Sequence, residues 1–86
     1  MMTEHTFKVI EFLKDWQTIS YDKVESAEDI KIFNVIGVII QLISNSYMKL
    51  DTSYHFVSDN LCLDDEIKEK ITTVLTNAYN SASVVN

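Results

Sequence analysis

Proline is absent from this chain of 86 residues, and glycine and cysteine occur once each, as Gly37 and Cys62. Sheets need many tight turns, and turns draw heavily on Gly and Pro, so a β-sandwich is excluded along with collagen and flexible linkers. A single cysteine forms no internal disulfide and no Cys-rich zinc cluster. His5 and His55 are the two histidines, far apart in sequence, and no Gly-rich phosphate loop occurs. That leaves little from which to build a catalytic, cofactor or metal site, so no enzyme activity and no cofactor are expected. Positive charge is scarce as well: 7 basic residues stand against 13 acidic ones, a net charge of −6. Sequence-independent nucleic-acid binding is mostly phosphate neutralisation by cations, and this balance opposes it. It equally opposes adhesion to an anionic membrane.

The N-terminus lacks the basic start and apolar run of a signal peptide. The longest apolar region, from about Ile30 to Ile43, is interrupted by Lys31, Asn34 and Gln41 and falls short of the roughly 20 apolar residues of a membrane helix. With no N-glycosylation sequon and an unpaired cysteine, a reducing cytoplasm is the expected location.

Apolar residues make up 47% of the chain, enough for a compact globule. One domain over 1–86 is expected. A domain this small buries only roughly 60–65% of the surface its unfolded chain exposes, so a partner subunit is a common supplement. Good helix formers throughout make helix the default state. Thr3 is an expected N-cap for a first helix ending near Thr18, with Phe7, Ile10 and Leu13 on one side and Val9, Phe12 and Trp16 widening it. Lys8, Glu11, Lys14 and Asp15 form its wet face, and Glu4 and Lys8 are spaced for an ion pair. After a polar connection over 19–25, Ser26 followed by an acid three residues later resembles a capping box. A second helix then runs from Ala27 to about Met48. Asp51 or Thr52 is placed to cap a short third helix carrying Tyr54, Val57 and Leu61. Asp64 caps a last helix from Asp65 to about Tyr79, with an inner stripe of Ile67, Ile71, Val74, Leu75 and Ala78 and an exposed Glu66–Lys70 pair. The fold class expected is all-α: a small antiparallel bundle of three to four helices.

The second helix is the informative element. At about 100° per residue, Asn34, Gly37, Gln41, Ser44 and Asn45 gather in one wedge, and apolar residues fill the remaining arc of roughly 220°. A surface helix needs a stripe of only about 100° or somewhat more. Burial by the chain's own helices and self-association would each cover the surplus. The thin third helix makes complete burial within one chain difficult, so a homodimer is expected, with Ile36, Ile39, Ile40 and Ile43 at its interface. Asp22, Glu25, Glu28 and Asp29 concentrate negative charge at the start of this helix. Acids there complement the helix dipole; they would also receive a basic protein surface, with charge setting on-rate and orientation.

The remaining chemistry is sparse. Cys62 lies between Leu61 and Leu63 and reads as a buried structural thiol. His55 stands four residues from both Asp51 and Asp59, which offers at most one good metal ligand beside two exposed oxygens. His5 reads as solvent-exposed.

Three stretches carry a family likeness: Val9-Ile10-Glu11-Phe12-Leu13-Lys14-Asp15; Val38-Ile39-Ile40-Gln41-Leu42-Ile43 with Tyr47 beyond; and Leu75 onward to Asn80-Ser81-Ala82-Ser83. Together they resemble the N-terminal homodimerisation domain of the small glutamine-rich tetratricopeptide-repeat co-chaperones. The resemblance implies an all-α homodimer that recruits a ubiquitin-like domain in the targeting of tail-anchored membrane proteins. In that family acids on the central helix bind the basic face of the ubiquitin-like partner. Here the matching positions hold Lys31, Asn34 and Gly37, so the acidity is displaced upstream to Asp22, Glu25, Glu28 and Asp29.

The function expected is a non-enzymatic homodimerising adaptor that docks a basic protein. The alternative is a small acidic stand-alone inhibitor, such as a bacteriocin-immunity protein or a phage-encoded antagonist. A gene continuing into helical repeats favours the adaptor, and a stop codon after Asn86 favours the inhibitor. A helix-turn-helix regulator is disfavoured because no helix concentrates Lys or Arg.

Overall fold

The computed structural model describes residues 3–45, Thr52 and 63–83. Among the described residues there are three α-helices and no strand: α1 over Glu4–Ser20, α2 over Ala27–Ser44 and α3 over Asp65–Ala82. A 3₁₀ turn at Tyr21–Lys23 follows α1 directly. The expected short third helix, with His55 and Cys62, lies outside the described residues apart from Thr52, which is helical and exposed.

Local sequence accounts for most helix ends. Thr3 is the N-cap of α1, its Oγ1 accepting the Thr6 N–H at 3.1 Å. The helix continues past Thr18 to Ser20 because no glycine is available there for a left-handed cap. The chain instead tightens into 3₁₀ geometry, which is common at helix C-termini. Ser26 begins α2 with a full capping box: Ser26 Oγ accepts the Asp29 N–H at 3.1 Å, and the Asp29 carboxylate accepts the Ser26 N–H at 3.3 Å. Asn45 ends that helix, its side-chain amide donating to the Gln41 carbonyl at 2.8 Å. Asp64 occupies the N-cap position of α3 but makes no side-chain capping bond. That helix extends beyond Tyr79 to Ala82, where the Ser83 hydroxyl donates to the Tyr79 carbonyl at 2.9 Å.

Side-chain contacts fix the directions. Near the end of α1, Gln17 donates to the Phe33 carbonyl in the first half of α2, so the two helices form an antiparallel hairpin. At the start of α1, His5 Nε2 lies 3.0 Å from Ser83 Oγ just past the end of α3, so this pair is antiparallel too. It follows that α2 and α3 run in the same direction, joined by the long segment between Asn45 and Leu63. His5 is therefore not free in solvent: it is half-buried, edge-on to Tyr79 with ring centroids 4.8 Å apart.

The core is one cluster drawn from all three helices. Val9, Ile10 and Leu13 meet Ile32, Ile36, Ile39, Ile40 and Ile43 of α2, with Ile67, Ile71, Leu75 and Ala78 of α3. Burying a side chain of this size is worth about 1.5–3 kcal/mol relative to leaving it exposed, so the cluster is the main favourable contribution to folding. It also shows how much of the wide apolar arc of α2 the chain covers by itself. Two neighbours, α1 and α3, flank α2 and bury Ile32, Ile36, Ile39, Ile40 and Ile43, while Phe33, Val35 and Leu42 stay half-buried, Val38 is exposed at the edge of the arc and Ile30 is exposed within the polar wedge. The polar wedge does face outward at Asn34, Gln41 and Asn45. Phe7 departs from its expected inner position and is 52% exposed, because it lies about 60° beyond Ile10 around the helix.

Candidate docking site

The corner between α1 and α2 gathers two exposed acids, the most exposed aromatic among the described residues and a small cleft. Tyr21, Asp22 and Lys23 sit on the 3₁₀ turn, and Val24 and Glu25 lead into the Ser26 cap. Tyr21 is 70% exposed, yet its ring leans edge-on toward Phe33 at 6.2 Å. Trp16 packs against the same Phe33 ring at 6.3 Å, giving an aromatic row from α1 through α2 to the turn. Ile30 is half exposed one turn before Asn34.

Beneath the corner lies a cleft of about 220 Å³. Trp16, Val24, Ile32, Phe33 and Val74 supply its apolar wall, while Ser20, Lys23, Asp29 and Lys70 supply the polar groups. The charged pair opposite the turn is internally engaged: Lys70 Nζ binds Glu28 Oε1 at 2.5 Å and Glu66 Oε1 at 3.6 Å. The hydrogen bond to Glu28 holds the Lys70 ammonium above its ordinary pKa, assisted by the charges of Glu28 and Glu66. Asp29 is engaged as well. Its carboxylate accepts the Glu25 N–H at 3.2 Å, and this bond, followed by the one with Ser26, holds it below the usual carboxylate range.

The four acids expected to form a docking patch therefore divide. Glu28 and Asp29 serve the chain itself, one as the ion-pair partner of α3 and the other as a cap. Asp22 and Glu25 are exposed and have no ion-pair partner among the described residues. The four isoleucines expected at a dimer interface divide no further: Ile36 and Ile39 are fully buried, and Ile40 and Ile43 nearly so, inside a single chain. They belong to the core cluster shared with α1 and α3. The Glu4–Lys8 and Glu66–Lys70 pairs form as spaced, each at 3.6 Å.

Two residues of this corner carry more than the sequence reading assigned them. Phe33 was one of many apolar residues on α2, and nothing in its neighbours marks it as the centre of an aromatic row. Gln17 did carry a signal: it stands four residues after Leu13 and seven after Ile10, a polar side chain on an apolar stripe. Such a residue needs an internal partner, and the Phe33 carbonyl at 3.1 Å is that partner.

Among the described residues no three of His, Cys, Asp and Glu come together in a metal-holding group. No helix among them is long and apolar enough to cross a membrane. Compared with protein-family models, curated proteins and solved structures, the chain matches none.

Proposed function

We propose that this chain is a non-catalytic helical module that docks a basic partner protein at the α1–α2 corner, in the manner of an adaptor. The observation that carries the reading is the placement of Tyr21, 70% exposed, beside Asp22 and Glu25, two carboxylates without an internal cation among the described residues. An exposed aromatic within a charged rim is the composition of a protein-binding patch, where the ring supplies contact area and the rim supplies orientation. A ubiquitin-like domain, which the co-chaperone resemblance implies, is the first partner to try.

A homodimer is not needed to shelter the centre of α2, and this favours a second reading, the stand-alone inhibitor. Both readings use the same docking surface and differ in what docking does to the partner. The test compares the wild-type chain with Asp22→Lys/Glu25→Lys. Glu28 is left untouched, because reversing it would also break the ion pair with Lys70. The expected result is a basic partner retained by the wild type and lost by the variant at an unchanged melting temperature. Equal retention would overturn the docking assignment. Assay of the purified partner then separates the readings: an adaptor leaves its activity intact, and an inhibitor abolishes it.

A further inference from the structure

We infer that the cleft beneath the α1–α2 corner receives one apolar side chain of a basic polypeptide segment. This rests on the docking reading above and names the anchor that docking would use. Size is the first argument. Sites for drug-sized ligands occupy roughly 300–1,000 Å³, whereas this cleft has about 220 Å³, room for a single aromatic or branched side chain. Chemistry is the second. Trp16, Ile32, Phe33 and Val74 offer that side chain an apolar wall, and a buried apolar anchor within a polar rim is the arrangement that carries most binding energy at protein interfaces.

Charge decides what the anchor is attached to. Lys23, Lys70 and Asp29 line the cleft, Glu28 and Glu66 hold Lys70, the Glu25 N–H binds Asp29, and Asp22 precedes Lys23, so acids outnumber cations around it. Lys70 already spans two carboxylates, leaving it little to offer an anion. Asp22 and Glu25, which flank the lining residues Lys23 and Val24 in sequence and are exposed, remain to meet Lys or Arg flanking the anchor. An acidic segment would face those carboxylates directly.

Trp16 is the sole tryptophan, so its emission reports on the cleft without labelling. Three short synthetic peptides lacking tryptophan serve as probes: a central Phe flanked by lysines, the same peptide with Ser for Phe, and the Phe peptide flanked by glutamates. Amide NMR shifts of Asp22 and Glu25 follow the rim in parallel. The Lys-flanked Phe peptide should move Trp16 emission to shorter wavelength together with both amide shifts. Replacing its Phe by Ser should weaken binding about tenfold or more. Val74→Phe, which fills the cleft, should do the same while keeping a cooperative melt. Should that variant not fold, Val24→Phe fills the cleft from outside the helices and takes its place. Rim shifts without any response of Trp16, or with no dependence on Phe, would leave docking standing and overturn the cleft as anchor site. Tighter binding of the Glu-flanked peptide would overturn the inference in favour of an anionic occupant. Silence of both reporters toward all three peptides would overturn the inference and the docking reading together.

Discussion

The side-chain amide of Gln17 passes over Gly37 on its way to the Phe33 carbonyl, so close that a Cβ at Gly37 would lie 3.0 Å from Gln17 Nε2. The chain's one glycine thus admits a hydrogen bond between helices instead of ending a helix. Alanine at this interior position is favoured over glycine by about 1 kcal/mol of helix propensity. A typical hydrogen bond is worth about the same, 0.5–1.5 kcal/mol, so Gly37→Ala sets two comparable effects against each other. A thermodynamic cycle separates them. In wild type, Gly37→Ala should change stability by less than about 0.5 kcal/mol, whereas in a Gln17→Ala background it should stabilise by about 1 kcal/mol. Equal effects in both backgrounds, measured by urea unfolding, would show that the two side chains do not compete for this space.

The capping box gives a pH-dependent prediction. Ser26→Ala should cost about 1 kcal/mol, with a range of 0.5–2, through loss of the bond to the Asp29 N–H. Asp29 acts in the same box through its charge. Its carboxyl is held below the ordinary value, chiefly by the Glu25 N–H, so the unfolded chain takes up a proton there before the folded chain does. Its contribution is therefore fully present above the unfolded value of about 3.9 and lost as pH falls through the lower folded value. Urea midpoints recorded on descending through that window should fall less steeply in Asp29→Asn than in wild type. Parallel slopes would remove Asp29 from the acid sensitivity.

What could be read from the sequence, and what could not, follows from the range of the interactions involved. The Thr3 and Ser26 caps, the Glu4–Lys8 and Glu66–Lys70 pairs and the single stripe of α3 were legible because each depends on residues within one or two helical turns. The fate of α2's wide apolar arc was not. Periodicity counts the faces a helix must cover but does not say which neighbours arrive, and here α1 and α3 flank α2 on two sides. The division of the acids was equally hidden. That Glu28 meets Lys70, 42 residues away, is a tertiary fact, and it takes one of the four acids out of the apparent surface patch.

Lys70 is the counterpart of Asp29 at the alkaline end. The bond to Glu28 raises its pKa, so its contribution is fully present below the unfolded value of about 10.4 and is lost as pH rises through the higher folded value. The side chain is half exposed, and the pairing should be weak at neutral pH and screened by added salt. Lys70→Met should therefore lower the melting temperature slightly in dilute buffer and not at all in concentrated salt. It should also flatten the decline of stability above the ordinary lysine range. A loss that persists undiminished in salt would mean that the aliphatic stem matters more than the charge.

The burial of the four isoleucines makes the assembly state a measurable consequence of packing. Ile39 is fully buried among side chains of its own chain, so Ile39→Ala removes atoms from a filled core and should cost about 2–5 kcal/mol. Were Ile39 instead buried between two copies, unfolding would be coupled to dissociation, and the melting temperature would rise with protein concentration. The alanine variant would then split a dimer and leave a folded monomer. For a core held within one chain, the wild-type melting temperature stays constant over a hundredfold range of concentration, and Ile39→Ala lowers it equally at every concentration. Sedimentation on the same samples checks the mass directly. A concentration-dependent melt whose dependence disappears in Ile39→Ala would return these isoleucines to an interface and require α2 to repack on assembly.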